Sequence, residues 1–170
     1  MHLDLATLLN LVSTAAIVGA LIFTARQVRA ATDARRDQAA VVVIQTTQDA
    51  SWTAALSLVS TLPENADAAL VREKGAEMER ALFELSIRFE PIGFMVFYGI
   101  IPLRAVDDLI GGVALVIWSR AKGWTAEYRA ATNNPKFNEW VEWLADRISE
   151  RRAKLRLEPA PSQYRAWREE

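Results

Sequence analysis

Residues 88–102 read RFEPIGFMVFYGIIP, and the location of this apolar run decides the fold. The charge-free part, residues 91–103, is 13 residues long. A helix of that length spans only about 20 Å, whereas the hydrocarbon layer of a membrane is about 30 Å thick. We therefore predict that the run is hidden inside the protein, as one arm of a hairpin of two core helices that breaks at Pro102. The alternative is a re-entrant or second membrane segment.

The N-terminal region has a longer apolar run. Residues 5–25, LATLLNLVSTAAIVGALIFTA, carry no charge over 21 positions, and a helix of that length spans about 30 Å. This predicts a single membrane-spanning helix. Only His2 and Asp4 precede it, whereas the candidate membrane-surface residues follow it: Arg26, Arg29, Arg35 and Arg36.

The distribution of positive charge predicts the orientation of this helix. Basic residues favour the cytoplasmic side of a span, so we expect the N-terminus outside the inner membrane and the rest of the chain in the cytoplasm. A cleaved signal peptide is the alternative, although the residues before the run include no lysine or arginine.

The composition excludes several classes of site. The chain has no cysteine and one histidine, His2, so disulfides, thiolate sites and histidine-based triads are excluded from the body of the protein. The net charge is −1, which gives no electrostatic reason to expect a nucleic-acid partner. We expect no metal and no cofactor.

The helical periodicity predicts an all-α protein with four segments. These are an anchor (1–27), a juxtamembrane segment (28–62), a helical bundle (63–157) and a tail (158–170). The juxtamembrane segment is either one long helix or two helices joined by a kink at Thr46–Thr47. We expect Pro63 to be the first break in the helix after the anchor.

Turn residues predict the helix ends within the bundle. One helix should run from about residue 64 to Pro91, which should kink or end it. The next should begin at Pro102 and end at Gly123, with Gly111 and Gly112 allowing a close neighbour. A short helix should carry Tyr128, and a last helix should begin with Asn134 as its N-cap and Pro135 at its first position.

Three segments carry a resemblance to a known family: RFEPIG, GIIPLRAVDDLIGGVALVIW and YRAATNNPKFNEWVEWLADRI. With the N-terminal span, they resemble small bacterial membrane proteins grouped as domain of unknown function 4760. Residues that carry the likeness are Phe89–Glu90, Gly99–Ile100, Trp118 and residues 140–144. The resemblance implies an all-helical cytoplasmic domain on one membrane anchor, and it implies no activity.

Glu90 is the first candidate site residue, because a carboxylate between Phe89 and Pro91 should be partly desolvated. It could be a structural ion pair or helix cap, or a proton acceptor or ligand contact. The structural interpretation is favoured because structural ion-pair networks perturb pKa values as functional sites do. The candidate cationic partners are Arg88, Arg104, Arg120 and Arg129.

The remaining charged clusters have ordinary structural interpretations. Asp107 and Asp108 are expected at the start of a helix, where acidic residues are favoured, rather than in a metal site. The basic cluster is expected to be a solvated helix end, with anionic lipid or RNA as the alternative ligand: Arg151, Arg152, Lys154 and Arg156. The candidate interaction residues are Gly19 in the span, and Trp143 and Trp167.

These observations predict a protein that works by binding. The expected partners are the lipid bilayer and either the chain itself or other subunits of a membrane complex, for which the protein would be an oligomer or an accessory or regulatory subunit. One alternative is a sensor domain that binds a small ligand near Glu90 and Arg129. A carboxylate-dependent enzyme is another, but it would need two convergent acids in a cleft.

Overall fold

A computed structural model describes residues 4–46, 49–155 and 158–168. All regular elements in these ranges are helices, which confirms the all-α prediction. The helices are α1 (Leu5–Thr46), α2 (Ala50–Ser60), α3 (Ala68–Glu73), α4 (Ala76–Phe97), α5 (Leu103–Thr132), α6 (Glu139–Leu155) and α7 (Ala160–Gln163).

The chain divides into two compact units, Met1–Gln38 and Ala39–Glu170. In the first unit, the described side chains of α1 between residues 13 and 32 are exposed. The large apolar ones include Ile17, Val18, Leu21, Ile22 and Phe23. Within the residues that the structure describes, no helix has both the length and the apolar character needed to cross a membrane. The predicted span also includes residues 5–8, 11 and 12, whose side chains lie outside the described set.

The second unit is a helical bundle built around α4. Helix α4 packs against α2 on one side and α6 on another, and α5 packs against α6. Apolar residues at helical spacing fill the core because each large side chain stabilises the fold by about 1.5–3 kcal/mol when it leaves water. The central side chains include Trp52, Leu85, Phe89, Ile92, Val106, Trp124, Leu144 and Ile148.

The apolar run quoted first is divided between two helices as predicted, but only part of it is buried. Helix α4 ends at Phe97 and α5 begins after Pro102, which is its N-cap residue. Ile92, Val96 and Ile101 are buried. The prediction that the whole run is internal is wrong, because its exposed residues include the large side chains of Phe94, Phe97, Tyr98 and Ile100.

Of the two predictions for Pro91, a kink or a helix end, the helix end is wrong, since α4 continues through it. A proline in a helix leaves the carbonyl four residues earlier without its usual donor. That carbonyl belongs to Ile87, and both Ile87 and Pro91 are exposed, so water can reach it. The helix instead begins later than predicted, because Gly75 has a φ of +96° and separates α3 from α4.

The first break after the anchor is also earlier than Pro63. Helix α1 ends at Thr46 and α2 begins at Ala50. Asp49 caps α2, because its side chain accepts a hydrogen bond from the backbone N–H of Trp52 at 2.8 Å. Thr47, part of the predicted kink, lies outside the described residues.

Helix α5 does not end at Gly123 but continues to Thr132, so the predicted separate helix around Tyr128 is part of it. Another segment bonds to its backbone near the predicted end. The N–H of Ala66 donates to the carbonyl of Arg120 at 3.1 Å, and the N–H of Trp124 donates to the carbonyl of Ala66 at 2.7 Å. In a regular helix Arg120 and Trp124 would bond to each other. A Cβ on Gly123 would lie 2.7 Å from the Ala66 carbonyl oxygen, so this approach requires glycine.

Candidate functional site

Aromatic side chains gather where the end of α4 meets the start of α6. We call these side chains, together with the exposed Ile100 of the following turn, the aromatic surface. It comprises Phe94, Phe97, Tyr98, Ile100, Trp140 and Trp143. The ring centroids of Phe97 and Trp140 are 4.8 Å apart, and those of Phe97 and Trp143 are 5.4 Å apart. Such spacings are typical of favourable aromatic pairs, so the surface is a packed cluster with its outer side in solvent.

The turn after α4 presents part of this surface. The N–H of Tyr98 donates to the carbonyl of Phe94 at 3.1 Å, and Gly99 then adopts a φ of +68°. Glycine takes this left-handed conformation without strain. The turn thus returns Ile101 to the core while Tyr98 and Ile100 stay outside.

Gly93 brings α6 close to α4. A Cβ at this position would lie 2.3 Å from the carbonyl oxygen of Trp140. Because that atom belongs to the backbone, no change of side-chain rotamer can make room. Glycine at residue 93 therefore allows Trp140 to lie directly against α4, beside Phe94 and Phe97.

Glu90 connects the same two helices. Its Oε2 accepts a hydrogen bond from the backbone N–H of Trp140 at 2.9 Å, in the first turn of α6. Burial raises the pKa of Glu90 above its ordinary value of 4.5, against the opposing effect of the Trp140 hydrogen bond. A carboxylate at a helix N-terminus satisfies donors that have no partner in the helix, as the cap interpretation expects.

This cap accounts for the true start of α6. Asn134 and Pro135 were predicted to begin the helix, but residues 135–138 form turns and α6 begins at Glu139. The capping carboxylate comes from another helix, and sequence reasoning about local caps could not locate it.

Arg129 is the cation that acts on Glu90, since its charge favours the ionised carboxylate. The guanidinium is itself engaged: Nε donates to the carbonyl of Phe137 at 2.7 Å, and Nη1 pairs with Glu142 at 2.7 Å. Among the described residues, Arg120 forms no ion pair with Glu90.

The other two candidate partners of Glu90 pair elsewhere. Arg88 pairs with Asp49 and Glu84, both at 2.7 Å. Arg104 pairs with Asp108 at 3.3 Å.

Asp107 corrects two predictions. It is not a helix-start residue, because α5 begins at Leu103 and has no acidic residue in its first turn. Its side chain is instead 2% exposed and pairs with Arg151 and with Arg152 Nε, the latter at 2.7 Å. The basic cluster is consequently not a free helix end, since two of its members anchor α6 to α5. Arg156 lies outside the described residues. A neighbour was predicted to approach Gly111 closely. A Cβ on Gly111 would lie 2.4 Å from Asp107 Oδ1 and 2.9 Å from Arg152 Nη2, so the atoms that approach it belong to side chains.

A cavity of about 410 Å³ lies beside this ion-pair group, between the start of α5, the end of α6 and the tail. Its lining includes Asp107, Asp108, Arg152, Glu158 and Tyr164. The three carboxylates face an arginine, so the lining has both signs of charge. In the described part of the chain, no group of three or more acidic or histidine side chains is arranged to hold a metal ion.

The remaining candidate residues lie apart from these groups. Gly19, Arg26 and Arg29 are exposed on α1, and the side chains of Arg35 and Arg36 lie outside the described set. Trp143 is partly buried in the aromatic surface, whereas Trp167 is exposed in the tail.

Sequence reasoning singled out Trp143 but missed the rest of the aromatic surface. The signal was present in α4: once Phe89, Ile92 and Val96 are assigned to the inward face, Phe94 and Tyr98 fall on the outer one. The position of Trp140 and Trp143 beside these residues depends on how α6 packs against α4, and the spacing of apolar residues in the sequence does not indicate that packing.

A family model described as "Domain of unknown function (DUF4760)" matches residues 11–148. Neither a curated protein nor a solved structure matches the chain.

Proposed function

We propose that this chain, which belongs to the DUF4760 family, is a membrane-anchored helical protein that acts by binding another protein through its aromatic surface. The observation that carries this proposal is the exposure of Phe94, Phe97 and Tyr98 on a domain whose other aromatic residues largely pack inside. Contiguous exposed apolar groups of this kind mark interaction sites, and aromatic residues dominate the energetics of such sites.

The anchoring part of the proposal is supported by the sequence of α1. Residues 5–25 carry no charge, and Ile17, Leu21 and Phe23 are each more than half exposed. Large side chains exposed together in this way need an apolar environment, and a bilayer supplies one on every side of the helix. An oligomer or an accessory or regulatory subunit of a larger membrane assembly is the role that fits both features.

Cell fractionation tests the anchor. We expect the full chain to stay with membranes after an alkaline carbonate wash. Ile17→Lys with Leu21→Lys should release it, because charges deep in a bilayer cost about 2.5–3.5 kcal/mol each on insertion scales. Thr32→Lys, which adds a charge outside the apolar run, is the matched control and should remain bound. A wild-type chain found in the soluble fraction would contradict the anchor.

A second experiment tests the binding surface. Proteins co-purifying with the chain in mild detergent should be lost when Phe94 and Tyr98 are both changed to serine. They should be kept when Leu109 and Val116, exposed apolar residues of α5, are changed in the same way. Equal recovery from both double variants would contradict a role for the aromatic surface.

A further inference from the structure

One face of α4 lies opposite its core face and is largely exposed, although Trp140 packs against its Phe94 with ring centroids 5.8 Å apart. This face consists of Ile87, Pro91, Phe94 and Tyr98, all exposed, and we call it the α4 stripe. The intervals are four, three and four residues, so at about 100° per residue the four positions fall within a narrow band. The stripe is about 16 Å long, or three helical turns.

The intervals match those by which one helix packs on another. Side chains spaced alternately by three and four residues form the seam of paired helices. The buried residues Leu85, Phe89 and Val96 lie on the opposite side of α4, where they form the seam with the rest of the bundle. Helix α4 thus has two apolar faces, of which the described chain leaves the second largely exposed.

The exposed apolar area of the stripe, taken together with its neighbours Phe97 and Ile100, matches one side of a dimer interface. Phe94, Phe97 and Tyr98 are 42%, 51% and 61% exposed, which at about 200 Å² per ring leaves roughly 300 Å² uncovered. Ile87 and Ile100 are 71% and 58% exposed and bring the apolar total to roughly 500 Å². A standard interface buries about 800 Å² on each partner, of which rather more than half is apolar.

The charges around the stripe favour a second copy over an anionic membrane surface. A lipid-binding face presents unneutralised basic residues. Here Arg88, the basic residue next to Ile87 on α4, is paired with Asp49 and Glu84, both at 2.7 Å. The net charge of the chain is −1, so two copies meet with little long-range repulsion.

We infer that the α4 stripe is a self-association surface on which two copies of this chain pack about a two-fold axis. In such a contact the same stripe serves both partners, and one symmetric site covers both exposed faces. This inference rests on the proposed function, because it identifies the partner of the aromatic surface as the chain itself.

The first test measures the mass of the full chain in mild detergent by light scattering during gel filtration. Wild type should have the protein mass of a dimer. Phe94→Ser with Tyr98→Ser should raise the dissociation constant at least tenfold, and Leu109→Ser with Val116→Ser should leave it unchanged. Far-UV circular dichroism checks that each variant is folded. The inference is overturned if the wild type is a monomer. It is also overturned if the double variant of the stripe, Phe94→Ser with Tyr98→Ser, dimerises as tightly as the wild type.

The second test uses the absence of cysteine in the chain. Phe94→Cys lies near the middle of the stripe and should give an oxidised dimer on a non-reducing gel. Ser57→Cys, on the exposed side of α2, should not. Equal cross-linking of both variants would mean random collision and would contradict the inference.

Failure of this inference is distinguishable from failure of the proposed function. A monomer that binds a different protein through Phe94 and Tyr98 overturns self-association but keeps the proposed function. Binding to phosphatidylglycerol vesicles that the stripe variant weakens, without a dimer, overturns self-association in favour of a lipid contact. A chain released by carbonate contradicts the anchor and leaves the dimer test unaffected.

Discussion

Gly93 and Gly112 provide a paired test of how α4 and α6 are held together. Both glycines lie inside helices, so replacing either with alanine gains about 1 kcal/mol of helix propensity. At Gly112 a new Cβ meets nothing within 4 Å, and the gain should remain. At Gly93 it would lie 2.3 Å from the Trp140 carbonyl oxygen and 2.8 Å from the carbonyl carbon.

The expected magnitude follows from these contacts. Overpacking costs about 1–3 kcal/mol, and displacement of Trp140 weakens the Glu90 cap, which is a loss of about 1 kcal/mol. After the propensity gain, Gly93→Ala should lower the free energy of unfolding by about 1–3 kcal/mol. Gly112→Ala should raise it by up to about 1 kcal/mol, so the two variants should differ by about 2–4 kcal/mol.

Urea unfolding followed by far-UV circular dichroism measures this difference. Hydrogen exchange of the Trp140 amide gives a local readout, and it should accelerate in Gly93→Ala but not in Gly112→Ala. Equal stability of the two variants would refute the reasoning that backbone contact at Gly93 positions α6.

Three further predictions concern carboxylates. Folding raises the pKa of Glu90 above its unfolded value of 4.5. The protonated side chain therefore contributes fully to the free energy of unfolding below pH 4.5, and this contribution is lost as pH rises through the pKa of the folded state. Glu90→Gln should therefore increase the free energy of unfolding at neutral pH. Urea titrations should show the difference between variant and wild type shrinking towards pH 4. A lower free energy of unfolding for the variant at neutral pH would contradict this. The Trp52 N–H and Arg88 lower the pKa of Asp49 from 3.8 to about 2, so its contribution is present above 3.8 and lost as pH falls through about 2. Acid unfolding curves of Asp49→Ala should lack this component, and curves parallel to wild type would count against it. Asp107→Asn should cost about 3 kcal/mol in urea unfolding, because Arg152 loses its ion pair and Arg151 keeps the weaker contact with Asp108 at 3.9 Å. Asp108→Asn, whose side chain is 52% exposed, should cost less than about 1 kcal/mol. Similar losses in the two variants would show that burial is not what matters at Asp107.

Several features of the fold could be predicted from local chemistry. The all-α class follows from periodicity, and Pro102 marks the start of α5 because its fixed φ suits the residues at a helix N-terminus. The length of the run at residues 91–103 also predicts that it does not cross a membrane. The structure divides this run between α4 and α5, as the predicted hairpin requires.

The errors arise where tertiary contacts replace local rules. Gly123 is a helix-ending signal, yet α5 continues because Ala66 supplies hydrogen bonds at that point. Asp107 is expected from the sequence to be a helix-start carboxylate, but the first turn of α5 has no acidic residue, and Asp107 is paired by Arg151 and Arg152 from a helix more than 40 residues away. Asn134 and Pro135 resemble a cap, whereas α6 takes its cap from Glu90.

The sequence by itself determined which segments are helical and which side of each helix is apolar, since both depend on residues within a few turns of one another. Only the tertiary structure decided which apolar residues are covered. Helix α4 is apolar on two sides, and the bundle has elements enough to bury one of them, so Phe94 and Tyr98 remain outside while Phe89 and Ile92 fill the core. That choice depends on distances between helices, and a one-dimensional pattern does not contain them.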